Sequence, residues 1–77
     1  MNILIENSDT LEYLAATGGW SKNPLVGKCF SDVGVAFRTA RQEPVGKFNI
    51  VCHIVQTNQF INLKNGRGAG ATDAVEK

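Results

Sequence analysis

The chain has 77 residues, with eight Lys and Arg against seven Asp and Glu and a formal net charge of +1. That length holds one domain, near the lower limit for a core without disulfides or metal. With 43% hydrophobic and 19% charged residues, the composition excludes a disordered chain. The charge excludes a strongly basic nucleic-acid binder and a strongly acidic nucleic-acid mimic. No apolar run is long enough to span a membrane.

The first residues, Met1-Asn2-Ile3-Leu4-Ile5-Glu6, lack the basic segment, apolar stretch and cleavage site of a secretory signal. Cys29 and Cys52 are the two cysteines, fewer than a small secreted domain carries. A cytoplasmic location is expected, with both thiols free and acting as small core hydrophobes; one disulfide between them is the alternative.

Ile3 to Ile5 read as a short strand. Asn7-Ser8-Asp9-Thr10 is turn chemistry, and residues 11–15 alternate, with Leu11, Tyr13 and Ala15 on one side and Glu12 and Leu14 on the other. Two strands about a polar turn predict a hairpin. Thr17-Gly18-Gly19 ends it, and Trp20 opens a connection through Pro24. Over residues 32–42, Val33, Ala36, Phe37 and Ala40 recur at i, i+3, i+4 and i+7, which predicts a helix with one apolar stripe. Asp32 or Ser31 stands at its N-cap, Arg38 and Arg41 lie toward its C-terminal end, and Pro44 stops it. Residues 47–56 read as the strongest strand: Phe48, Ile50, Cys52 and Ile54 face the helix, and Asn49, Val51, His53 and Val55 form a mixed face partly open to water. Thr57-Asn58 predicts a turn, and Gln59 to Leu63 a returning strand. The order of elements predicts an α+β fold: a small two-layer domain, an antiparallel sheet of three or four strands with one helix packed across it. The expected domain is 1–64, followed by a flexible Gly/Ala-rich tail over 65–77. The expected core is Ile3, Ile5, Leu14, Trp20, Phe30, Val33, Ala36, Phe37, Ala40, Phe48, Ile50, Cys52 and Ile54.

Ile3 and Ile5, Tyr13-Leu14, Gly19-Trp20, Phe30-x-Asp32, the alanines at 36 and 40, and the strand from Phe48 to Ile54 together resemble a family of short uncharacterised proteins of bacteria and their phages. The resemblance covers roughly residues 2–55 and departs from the family pattern at Gly27, in the helix's lack of a Glu-rich face, and in the extension from Phe60. It implies the fold and carries no activity.

The chemistry-bearing residues are few. Gly66-Arg67-Gly68-Ala69-Gly70-Ala71 spells a dinucleotide-binding loop, but only six residues follow it, too few for the helix and second strand such a site needs. His53 is the single histidine; it reads as a half-exposed strand residue. Cys52 and His53 are adjacent, so a strand sends them to opposite faces and they cannot share a metal. Cys29, beside Lys28, has no second histidine to serve as base. Glu6, Asp9 and Glu12 cluster at the first turn, where carboxylates are usually solvated. No enzyme, metal or cofactor is expected.

Charge is unevenly placed. Residues 1–20 hold three acids and no Lys or Arg, whereas residues 21–67 hold seven cations against two acids. Arg38 and Arg41 share a helix face, and Lys47 follows. The leading expectation is a non-catalytic protein–protein interaction module, conceivably a phage or mobile-element protein that inhibits or modulates a host complex such as a CRISPR system. Its expected partner-binding residues are Arg38, Arg41, Lys47 and Trp20. The alternatives are a weak nucleic-acid-binding protein using Arg38, Arg41, Lys47 and Arg67, and a homo-oligomer formed through the Phe60–Leu63 strand edge.

Overall fold

The computed structural model describes residues 2–70. Asp32 starts the helix as its sequence position implies: its backbone is extended and its Oδ1 accepts the N–H of Val35 at 2.8 Å. Helix α1 runs from Val33 to Arg41. It lies against one face of an antiparallel sheet whose strands are β1 (Asn2–Asn7), β2 (Glu12–Leu14), β3 (Trp20–Ser21), β4 (Lys47–Ile54) and β5 (Gln59–Arg67), in the spatial order β3-β2-β1-β4-β5. This is a small α+β domain. Its sheet has five strands rather than three or four, because the backbone at Trp20 and Ser21 pairs with Leu14 and Tyr13. No helix among the described residues is long and apolar enough to cross a membrane.

The alternation on β4 sorts the molecule into two faces. Phe48 and Ile50 join Ile5, Leu14, Ala36, Ala40 and Val45 in the core beneath α1, with Ile3, Trp20, Phe30, Val33 and Phe37 packed around it. The far face of the sheet is also covered. Leu4, Tyr13 and Val51 form a second apolar cluster there. A single 3-10 turn, Pro24–Val26, leads into Gly27, whose backbone lies close enough to Leu4 that a Cβ would stand 3.0 Å from its Cδ2. Continuous apolar runs on β1 and β4 fit a sheet buried on both sides. Consequently His53 is only 1% exposed, not half-exposed as the mixed face suggested. The two thiols part company: Cys52 is buried, but Cys29 is exposed and is not a core residue.

The predicted tail at 65–70 is structured. β5 continues to Arg67, and Gly68, Ala69 and Gly70 donate their N–H groups to the carbonyls of Gly46, Glu43 and Val45 at 2.7, 2.9 and 3.1 Å. Composition suggested a flexible segment, but the alternate glycines serve close approach. At Gly66 a Cβ would meet the rings of Phe37 and Phe48, each at 2.6 Å. The rest of the expected tail, 71–77, lies outside the described residues.

The β1–β2 and β4–β5 hairpins end their four-residue turns on a left-handed residue, Leu11 (φ 62°) and Asn58 (φ 55°). Asparagine tolerates that conformation and a branched aliphatic does not. Leu11 is 60% exposed, so its side chain recovers little by burial. The turn is held by Asn7, whose Oδ1 accepts the N–H of Asp9 at 2.9 Å and whose carbonyl accepts that of Leu11 at 2.7 Å. Leu11→Gly is expected to stabilise the domain by about 1 kcal/mol. Urea unfolding would read this as a midpoint raised at unchanged slope.

Candidate functional site: an aromatic groove on the far face of the sheet

The strand pairing sets His53 of β4 directly opposite Phe60 of β5. Their rings stack with centroids 4.3 Å apart and planes 5° from parallel. Tyr13 comes from β2, which β1 and β4 separate from β5, and clusters with Leu4 and Val51. It stacks with the Phe60 ring at 5.7 Å and 15°. Three nearly parallel rings therefore lie across the far face, with Phe60 in the middle and 40% exposed. Offset stacking of this kind holds the rings in a fixed array.

Lys22, Asn23, Pro24 and Leu25 form one bank of a groove of about 400 Å³ over these rings, and Val55 and Asn58 form the other. Leu25 is 67% and Val55 46% exposed. Lys22 is tied back, its Nζ donating to the carbonyl of Thr10 at 2.9 Å. The turn that puts Asn58 in the left-handed region also brings its Oδ1 to 2.9 Å from His53 Nε2. Nδ1 is buried and has no hydrogen-bond partner among the described residues.

Tyr13 titrates above the ordinary tyrosine value of 10.0, first because burial disfavours the phenolate and second because Glu6 lies close by. A folded-state pKa raised above the unfolded one adds stability that is complete below the unfolded value. It is lost as pH rises from about 10 through the folded pKa. Tyr13→Phe is therefore expected to flatten the loss of stability above that pH. Absorbance titration of the single tyrosine would show its midpoint displaced upward in the folded protein.

The residues expected to bind a partner do not converge. Arg38 and Arg41 are exposed on α1. Lys64, which the sequence reading passed over, joins them: its Nζ lies 4.8 Å from the centre of the Phe37 ring, and the Arg41 guanidinium lies 6.0 Å from it. Lys47 pairs with Arg67 on the opposite face, where both line a shallow pocket of about 300 Å³ with Ser8, Asn49 and Asn65. Trp20 stands apart on β3, half-buried against the helix-side core. Among the described residues no group of three His, Cys, Asp or Glu side chains could hold a metal. Sequence reasoning missed the groove because Tyr13 and Phe60 are distant in the chain and meet only through the pairing order. The signal available was Phe60 set among exposed polar residues.

Comparison with protein-family models, with curated proteins and with solved structures finds no match to this chain. A functional reading therefore rests on the chain's own residues.

Proposed function

We propose that this chain is a small non-catalytic binding module that recognises another protein through the groove over Tyr13, Phe60 and His53. The observation that carries the reading is the exposed central ring of the stack, bordered by exposed Leu25 and Val55. Rigid aromatic surface framed by polar residues is what an interface centre offers, since its side chains lose little entropy on binding. The occupant that fits is an apolar or aromatic side chain on an exposed segment of a larger protein. Modulation of a host complex by a phage or mobile-element protein is one setting for such a module.

The test is tagged capture from bacterial lysate with and without nuclease, using wild type, Phe60→Ala, Leu25→Asp and the double variant Arg38→Ala/Arg41→Ala. The reading expects one protein recovered near equal stoichiometry, insensitive to nuclease, lost with either groove variant and kept with the arginine variant. Recovery lost only with the arginine variant overturns the groove as the site.

A second reading has its own observation. Lys47 lies on the same sheet face as Phe60, so an aromatic platform and a cation share one surface, as single-stranded nucleic-acid binding requires. It predicts affinity for a labelled oligonucleotide that falls steeply with salt, drops with Phe60→Ala, and shows a shallower salt dependence with Lys47→Ala.

A further inference from the structure

We infer that β5 pairs antiparallel with β5 of a second copy of this chain, joining two domains into one continuous ten-stranded sheet. The two edges of the sheet are built differently. β3 closes one edge with two residues, a length that offers a partner little backbone. β5 forms the other edge with nine residues, contains no proline, and exposes Phe60, Ile61 and Leu63. Charged side chains commonly guard such edges; of the two on β5, Lys64 is drawn over the Phe37 ring and Arg67 stands only at the strand's last position.

The irregularity in β5 specifies the register. Lys64 pairs with Ile50 and Asn62 with Val51, which leaves Leu63 as an extra residue. Ahead of it, Phe60 and Asn62 belong to the far face and Ile61 to the helix face. After it, Asn65 and Arg67 belong to the far face and Lys64 and Gly66 to the helix face. Antiparallel partners must share a face along their whole length. A two-fold axis between Leu63 and Lys64 satisfies this for the residues on either side of the irregularity, because it superposes the two bulges. That axis sets Phe60 opposite Arg67, Ile61 opposite Gly66, and Asn62 opposite Asn65. On the helix side the Ile61 side chain meets a residue with none, and on the far side two carboxamides face each other. Leu63 stands opposite Lys64 twice about the axis, and no two cations are opposed. An isologous contact of this kind closes at two copies.

The register gives an unusual test. Leu63→Lys sets lysine against lysine on both sides of the axis, whereas Leu63→Glu sets glutamate against lysine. Leu63 is exposed, so neither change threatens the fold, which circular dichroism would verify. Sedimentation velocity of the isolated protein at rising concentration is expected to show wild type and Leu63→Glu at twice the 8.3 kDa chain mass. Leu63→Lys should shift the dissociation constant upward by about tenfold or more. Wild type that stays at the single-chain mass into the millimolar range overturns the pairing and leaves the edge to a different chain. Equal weakening by lysine and glutamate overturns this register. Neither result bears on capture through the groove, which is read with Leu25→Asp, outside β5.

Discussion

Phe48→Ala is expected to cost the domain about 4 kcal/mol, since the loss of a buried phenyl ring combines transfer free energy with a cavity that neighbours fill only in part. Phe48 is 1% exposed and lies among Ile5, Leu14, Ala36, Ala40 and Ile50. Its ring meets Phe37 edge to face at 5.4 Å and 64°, and on the sheet side it presses on the bare backbone of Gly66. None of these neighbours can follow the ring inward: the alanines are short and the strand is held by pairing with β1 and β5. A domain of this size has roughly 4 to 11 kcal/mol of total stability, so the variant should lose between about a third and all of it. Phe37→Ala should cost less, because Phe37 is only half-buried, with cations rather than core on its outer side. Urea unfolding of both variants supplies the comparison. A loss below about 2 kcal/mol for Phe48→Ala would contradict the described packing.

Gly68→Ala is the second large effect expected, about 3 kcal/mol, at the upper end of overpacking costs. A Cβ at this position would lie 2.5 Å from Val45 Cγ1, 2.6 Å from the Val45 carbonyl oxygen and 2.8 Å from that of Glu43. The valine methyl can rotate away, but the carbonyls cannot. Those same two carbonyls accept the N–H groups of Gly70 and Ala69, and the N–H of Gly68 binds Gly46. Relief of the clash therefore breaks the contacts that hold residues 68–70 against the end of α1. Gly19→Ala is the control: nothing lies within 4 Å of its Cβ position, and the change should be near neutral. A Gly68→Ala variant as stable as wild type would return this stretch to the status of a loose tail.

The parts of the fold legible in the sequence are those where a single face decides. Asp32, Val33, Ala36, Phe37 and Ala40 declared α1 through a cap and a 3.6-residue stripe. Phe48, Ile50 and Cys52 declared the helix-facing side of β4. The second covered face was hidden, because a covering element distant in sequence turns a mixed strand face into an interior one. The apolar runs Ile3-Leu4-Ile5 and Ile50-Val51-Cys52 were its trace, and His53 was misread because its polarity outweighed its neighbours. The glycines at 66, 68 and 70 were averaged into a composition, although their spacing of two is the period of a strand. Trp20 and Ser21 form a strand too short for any periodicity to report. The groove residues became visible only when the strand order placed β2 and β5 over a common surface.

The strand order also divides the chain into two consecutive halves. Residues 2–21 supply β1, β2 and β3, and residues 33–67 supply α1, β4 and β5. Within each half the strands are neighbours joined by hairpins, whereas the halves meet along the β1–β4 seam, where six residue pairs run from Asn2 with His53 to Asn7 with Phe48. Each half can assemble from contacts near in sequence, but the seam closes a loop spanning most of the chain and carries the largest entropic cost. Folding speed should therefore respond more to changes at Leu4, Ile5, Ile50 and Val51 than to changes within the hairpin turns. A chain nicked between Lys22 and Ser31 should still be able to reassemble its two pieces along that seam.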